Sequence, residues 1–319
     1  MKPEKKPFVI LTGPTAVGKS KLSIALAKAI GGEIISADSM QVYRHMDIGS
    51  AKIMPDEMDG IPHHLIDCID PTEDFHVVLF QKLAKKCMEE IWASGKVPIL
   101  VGGTGFYIQA VLYDIDFTEN EEDTTLRMEL EELAREKGPQ YIHTKLAMVD
   151  PESAQLIHAN NVKRVIRALE FYEKTGTKIS AHNEMEHQKQ SPYQFQYFVL
   201  TDERATLYAN IEKRVDDMMQ AGLLAEVRKL KEMGCKKDSV AMQGLGYKEI
   251  MAYLDGECSL EEAVYTIKRD TRHFAKRQLT WFRRERDVIW IDKNVFHRDD
   301  TEILNYMVIK LEQEKNKWK

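Results

Sequence analysis

The stretch "ILTGPTAVGKSKLSIALA", Ile10 to Ala27, decides the fold. An apolar run ends at Gly13, the pattern GxxxxGKS runs from Gly13 to Ser20, and a helix-forming alternation of Leu, Ile and Ala follows. Strand, loop and helix stand in the order that a phosphate-binding loop requires. Gly13 and Gly18 let the intervening amides, those of Thr15, Ala16 and Val17, turn inward around an anion. Lys19 supplies a point charge, and Ser20 opens the helix where its hydroxyl can reach a magnesium ion. A tight turn capped by Ser20 accounts for the glycines but not for Lys19. The open question is whose phosphates the loop holds.

Outward from the loop, "PFVILTG" (7–13), "EIISAD" (33–38) and "VPILVGGTG" (97–105) are short apolar runs ended by Gly or Asp, with amphipathic helical patterns between them. The alternation predicts a parallel α/β sheet. "FQYFVLTD" (195–202) and "DVIWID" (287–292) read as further strands. Residues 115–192 differ: "NVKRVIRALEFYEKTG" is helical and "SAHNEMEHQKQSPYQ" is polar and reads as a mobile segment. The expected organisation is a catalytic core over 1–114 and 193–319, resembling the P-loop nucleoside-triphosphate hydrolases, with a mainly helical insertion at 115–192.

The 319 residues are 43% hydrophobic and 30% charged, enough for one large or two ordinary domains with a real core. The formal net charge is only -6, so attraction to nucleic acid has to come from local clusters of Lys and Arg. Cys68, Cys87, Cys235 and Cys258 are too scattered for a zinc site and read as thiols of a reducing cytosol. No apolar run approaches the roughly 18 residues of a membrane span, so no membrane partner is expected.

A triphosphate hydrolase also needs an apolar strand ending in an acid that orders magnesium-bound water. The third strand ends instead in Gly102, Gly103, Thr104 and Gly105. The phosphates therefore need not belong to ATP. After the second strand, Asp38 falls where strand gives way to loop on the phosphate side of the sheet, where it can face a ligand or cap the following turn.

The segments "GPTAVGKS", "ISADSMQVYRHMDIGSAK", "PHHLID", "VGGTGFYIQAVL", "KRVIRALEFYEKTG", "MQGLGYKE" and "AKRQLTWFRRE", in this order and spacing, closely resemble the bacterial tRNA dimethylallyltransferases, the tRNA isopentenyltransferase family. The resemblance covers the chain from about Phe8 to Trp290. It implies that dimethylallyl diphosphate donates a five-carbon allyl group to the exocyclic amine of adenosine 37, beside the anticodon, and that pyrophosphate leaves. Gly13, Thr15, Ala16, Val17, Gly18, Lys19 and Ser20 would then hold a diphosphate with Mg2+ near Ser20.

By the same resemblance, Asp38 is the acid that accepts the amine proton and Arg214 approaches the diphosphate, although Arg214 also stands three residues from Asp217 on one helix. Thr104 would contact the target nucleotide, or merely end a buried strand. Asp38, Ser39, Met40 and Gln41 would line the path of a flipped base, with Gln41 able to read a purine edge or simply to sit in solvent. Gln243 and Lys248 of "MQGLGYKE" and Arg127, Lys163, Arg164 and Arg167 of the insertion would touch tRNA.

The tRNA side is also legible in charge. From Ala263 to Arg286 there are eight Lys or Arg residues against two acids. Lys268, Arg272, Lys276, Arg283 and Arg286 share one helical face, and Ile267, Phe274 and Trp281 take the opposite one, with Arg277 near the apolar side. Arg272, Lys276, Arg277 and Arg283 are the expected contacts to an anticodon stem-loop, against the alternative of a solvated face. A small-molecule kinase or an RNA-binding ATPase would share the loop, but the third strand lacks the acid both would use. A monomer is expected.

Overall fold

The computed structural model describes residues 5–117 and 125–317. The chain divides into two compact units, Met1–Leu112 with Pro192–Lys319, and Tyr113–Ser191.

In the first unit the strands are β1 (Pro7–Thr12), β2 (Gly32–Ser36), β3 (His63–His64), β4 (Val97–Gly102), β5 (Gln194–Thr201) and β6 (Val288–Asp292). They form one parallel sheet in the order β3-β2-β4-β1-β5-β6. β1 is central, and Phe8, Val9, Ile10 and Leu11 on both of its faces are buried. That is why the strand reads as an unbroken apolar run rather than an alternation. The helices α1 (Lys19–Ile30), α2 (Val77–Ala93) and α3 (Gly105–Leu112) precede the insertion in sequence. One face of the sheet, through Val9, Leu11, Ile34, Ile99, Phe198 and Leu200, packs on Leu22 and Leu26 of α1.

The second unit contains α4 (Thr125–Lys137), α5 (Pro139–Val149), α6 (Pro151–Leu156), α7 (Val162–Thr175) and α8 (Ile179–Gln188). Its own core is built from Leu130, Ile142, Leu146, Val165, Ile166 and Leu169. Of the polar stretch 180–194, residues 180–188 form most of α8. Buried Asp150 accepts hydrogen bonds from the Ser180 amide (3.0 Å) and hydroxyl (2.7 Å) while also capping α6 through Ser153. This long-range anchor has no periodicity to betray it.

The chain returns to the first unit with α9 (Arg204–Ala221), α10 (Leu223–Glu232), α11 (Tyr247–Leu254), α12 (Leu260–Phe282) and α13 (Asp300–Lys317). α12 starts at a reciprocal capping box: the Glu262 amide donates to the Ser259 hydroxyl and the Ser259 amide to the Glu262 carboxylate. In this unit the strand missed by the sequence is β3, whose two histidines interrupt the apolar pattern. It survives at the sheet edge because His64 Nε2 lies 2.7 Å from the Glu33 carboxylate, which Lys96 also binds at 2.7 Å.

Because the sheet is wholly parallel, the segments after β1, β2, β4, β5 and β6 all emerge on one edge, where ligands bind in this class of sheet. They pack so closely that backbone touches backbone. Gly13 has φ 146°, and a Cβ there would stand 2.5 Å from the Leu200 carbonyl oxygen of β5. Only glycine allows the chain to leave β1 at this point.

Candidate functional site

The loop Gly13–Gly18 curls over the carboxyl end of β1. Ala16 has φ 63°, a left-handed conformation that is strained for a residue with a Cβ. It is held there from α9 and α12: the Asn210 side-chain amide donates to the Ala16 carbonyl (3.3 Å), and Ala16 packs with Ile211, Tyr208 and Ala275. Lys19 bends back, its ammonium donating to the carbonyls of Gly13 (3.0 Å) and Pro14 (2.9 Å). Burial first, then the positive charge of Arg214, pull its pKa down from 10.5 to about 7, against the opposing pull of Asp38.

Arg214 donates to the Thr15 hydroxyl at 3.4 Å, and its own pKa is lowered by burial while Asp38 raises it. The ion pair with Asp217 that its sequence position allows is instead made by Lys213 at 2.7 Å. On the other side of the loop, Lys293, just beyond β6, has its ammonium 3.1 Å from where a Cβ on Gly18 would stand and 3.0 Å from Asp300. The sequence offered no sign of this cation, because only the order of the sheet brings β6 and its sequel toward α1. Ser20 is exposed in the first turn of α1.

Asp38 follows β2. One of its oxygens accepts from the amides of Met40 (2.8 Å) and Gln41 (3.4 Å), so it does cap the turn. The other accepts no hydrogen bond among the described residues, and the carboxylate is electrostatically coupled to both Lys19 and Arg214. Capping and facing the cations are therefore compatible. Ser39, Met40 and Gln41 are half-buried. The Gln41 amide donates to the carbonyls of Ser50 (3.4 Å) and Ala51 (3.1 Å) and its oxygen accepts from Ser36, so it is neither solvated nor unengaged.

The segment after this turn is fixed by a charge the sequence did not single out. The Glu226 carboxylate, on α10, accepts from three successive amides, Asp47 (2.9 Å), Ile48 (2.8 Å) and Gly49 (3.0 Å), and from the Tyr247 hydroxyl (2.8 Å). Tyr247 belongs to "MQGLGYKE", so this motif braces the Asp38 loop as well as carrying candidate tRNA contacts. Of those, Gln243 donates to the Lys237 carbonyl (2.7 Å) and Lys248 lies 3.3 Å from Glu249.

Thr104 stands before α3, its carbonyl accepting from the amides of Tyr107 (3.0 Å) and Ile108 (3.2 Å). Tyr107 stacks on Phe80, with ring centroids 4.4 Å apart, and packs edge-on against Phe75. This aromatic wall adjoins the sheet edge, and burial raises the Tyr107 hydroxyl well above the usual tyrosine value.

α12 behaves partly as expected. Its buried side is Ala263, Ile267, Ala275, Gln278 and Phe282, while Phe274 and Trp281 are only half-buried at its margin. The single basic face splits. Lys268 and Arg272 turn toward α9 and pair with Asp216 (2.6 Å) and Glu212 (2.7 Å). Lys276, Arg277 and Arg284, with His273, Thr280 and Trp281, line an open concavity of about 400 Å3. Arg283 is exposed at the end of the helix. Periodicity put Lys276 on an exposed side but set Arg277, which is exposed beside it, near the apolar one, counted Arg286, which lies beyond the end of α12, and could not foresee that acids of α9 cover one flank.

In the second unit, Lys163, Arg164 and Arg167 are exposed on α7 and take no ion pair among the described residues. Arg127 is different: it forms two hydrogen bonds to one oxygen of buried Glu170 (2.9 and 3.1 Å), whose other oxygen binds Lys174 at 3.0 Å.

The family described as IPP transferase matches residues 41–285. A tRNA dimethylallyltransferase of Lachnoclostridium phytofermentans is 62% identical over 303 residues, covering 95% of this chain and 96% of its own. Among solved structures, the full-length tRNA isopentenylpyrophosphate transferase of Bacillus halodurans is 47% identical, covers 98% of each chain and superposes with a TM-score of 0.73. A eukaryotic dimethylallyltransferase acting on tRNA is 31% identical, covering 90% of this chain and 74% of its own, with a TM-score of 0.77.

The depressed Lys19 pKa would link the binding of an anion at this loop to proton uptake. An anion favours the charged lysine, so its folded pKa rises on binding and a proton is taken up above about pH 7. Affinity for pyrophosphate should then fall as pH rises through about 7. Calorimetry at pH 8 in two buffers of different ionisation enthalpy should find about one proton fewer taken up by Lys19→Arg, which stays charged, than by the parent. Equal uptake would remove Lys19 from the linkage.

Proposed function

The chain belongs to the IPP transferase family and is a tRNA-modifying prenyltransferase, and from that premise we propose that it moves the dimethylallyl group of dimethylallyl diphosphate onto the exocyclic amine of adenosine 37, in the anticodon stem-loop of tRNA. The observation that carries this reading is the convergence at the carboxyl edge of the sheet of Lys19, on the Gly13 and Pro14 carbonyls, Arg214, on the Thr15 hydroxyl, and Asp38, whose charge acts on both cations without pairing with either. Anion-holding and proton-accepting groups are thereby set side by side.

The chemistry asks for both. The adenine amine is a weak nucleophile, because its lone pair is delocalised into the ring, and an allylic diphosphate ionises readily once its departing charge is neutralised. The bond from nitrogen to the allylic carbon forms, the bond from that carbon to the diphosphate oxygen breaks, and one amine proton must leave. Lys19, Arg214 and the amides of Ala16, Val17 and Gly18 hold the leaving pyrophosphate; the Thr15 amide, expected among them from the sequence, is instead taken by Gln278 at 2.9 Å. The uncapped oxygen of Asp38 receives the proton. Thr104, Ser39, Met40 and Gln41 surround the extruded base, and Phe75, Phe80 and Tyr107 provide an apolar wall for the allyl chain.

A divalent metal, which we read as Mg2+, fits this set in one specific way. Among the described residues no group of three or more His, Cys, Asp or Glu side chains could hold a metal. The available protein donor is the exposed Ser20 hydroxyl, which suits an ion carried mainly by diphosphate oxygens and water. The metal would neutralise leaving-group charge. No helix of the described residues is long and apolar enough to cross a membrane, and we place the enzyme in the cytoplasm as a monomer.

Exposed Lys163, Arg164, Arg167, Lys276, Arg277 and Arg283 are the groups we assign to tRNA phosphates. Arg127 and Arg272, already paired with Glu170 and Glu212, join them only by exchanging partners.

The direct test of the reaction is incubation with dimethylallyl diphosphate and unmodified tRNA followed by nucleoside analysis. Isopentenyladenosine should appear with one pyrophosphate released per base, and its absence with folded enzyme would overturn the reading. Asp38→Asn keeps the turn cap but not the base, and should lower the single-turnover rate about 10²–10⁴-fold, roughly 3–5 kcal/mol of barrier. A rate within about threefold of the parent would leave Asp38 a cap only. For tRNA, Lys276→Ala and Arg277→Ala should each reduce the salt dependence of binding by about one unit, and Arg272→Ala by less. Equal reductions at all three positions would mean that the pairing with Glu212 is irrelevant.

A further inference from the structure

Gln278 of α12 is buried, 6% exposed, and its carboxamide spans two loops far apart in sequence. Its oxygen accepts from the Thr15 amide of the phosphate loop at 2.9 Å, and its nitrogen donates to the Gly103 carbonyl at 2.9 Å. Both bonds fix the orientation of the group: with the amide turned over, N–H would face N–H and oxygen would face oxygen. The fit extends to the backbone, because a Cβ on Gly103 would stand 2.2 Å from Gln278 Nε2. The Thr15 hydroxyl takes Arg214, and Thr104 follows Gly103 directly. One side chain therefore touches the loop assigned to the diphosphate and the loop assigned to the target nucleotide.

We propose that Gln278 is a positioning residue that sets the register between donor and acceptor by joining the Thr15 amide of the phosphate loop to the Gly103 carbonyl before Thr104. This rests on the prenyl-transfer reading above and deepens it. The Thr15 amide, aimed at Gln278, is held out of the anion cradle, so the loop keeps one curvature whether or not an anion is bound. The same helix carries Lys276 and Arg277 on its outer side, two residues and one residue before Gln278, so a tRNA held by those residues is held by the element that fixes both loops. Reaction between two bound molecules depends steeply on such registration, and a misplacement of about 1 Å costs roughly 10²-fold in rate.

The test uses full-length Gln278→Met and Gln278→Glu. Met fills the space without either hydrogen bond. It should leave tRNA affinity within about twofold of the parent while lowering the single-turnover rate at saturating donor and tRNA by about 10²-fold. Glu at neutral pH sets a carboxylate oxygen against the Gly103 carbonyl, but once protonated it reproduces both bonds, donating from its hydroxyl and accepting from Thr15. Burial raises a carboxyl pKa, so the Gln278→Glu rate, divided by the parent rate at each pH, should climb as pH falls from about 8 to 6. Any other group that titrates in this range does so in both proteins, and the ratio isolates position 278.

A Met variant with a lower unfolding midpoint but parental saturated rate, or a Glu variant with a flat ratio, would overturn the proposal and leave Gln278 as packing. If Met does not fold, the Glu ratio alone decides. An inactive parent would refute prenyl transfer itself, a result separable from either outcome at Gln278.

Discussion

The loop that we assign to an anion concentrates positive charge, and the organisation of this site follows from keeping that charge in place. Lys19 lies largely out of water beside Arg214, and burial together with like charge brings its pKa to about 7. Left to itself, such a group would swing into solvent or lose its proton. The Gly13 and Pro14 carbonyls hold it and Asp38 opposes the loss. The acid that we assign to proton transfer therefore also steadies the cations that we assign to the leaving group. Its electrostatic role and its chemical role are inseparable, and the pair of backbone amides on its second oxygen keeps it from drifting toward either cation.

The remaining elements act as braces. α9 reaches the loop through Asn210 and Arg214, and α12 reaches it through Ala275 and Gln278. α10 and α11, through Glu226 and Tyr247, clamp the amides of Asp47 to Gly49 and so anchor the segment that begins at Asp38. A carboxylate satisfied by three amides and a hydroxyl is a strong local constraint, because removing it would strand partly buried donors. Strained Ala16 and the bound Gln41 amide belong to the same preorganised edge, in which polar groups are committed before substrate arrives.

Much of this was legible in the sequence for a physical reason. Central parallel strands are buried on both faces, so β1, β2, β4 and β5 announce themselves as apolar runs, and the phosphate loop joins β1 to α1 in a fixed order. β3 escaped notice because two residues make no pattern, and α8 because its anchor, Asp150, lies 30 residues from Ser180. Lys268 and Arg272 were assigned to an open basic face because periodicity knows a helix's sides but not its neighbours. The same limit hid Glu226, Lys293 and Gln278. The last joins residues 263 and 175 positions away, and no local rule can see that.

The central claim is that the loop is made for the diphosphate of a small prenyl donor and not for a nucleotide. Equilibrium displacement of labelled pyrophosphate from the enzyme, with magnesium present, tests it most directly. The account predicts that dimethylallyl diphosphate displaces the label from the parent, that Lys19→Ala retains little label to displace, and that ATP competes at least about tenfold less well, a difference of about 1.4 kcal/mol or more. ATP competing as well as dimethylallyl diphosphate, or being hydrolysed in the process, would contradict it.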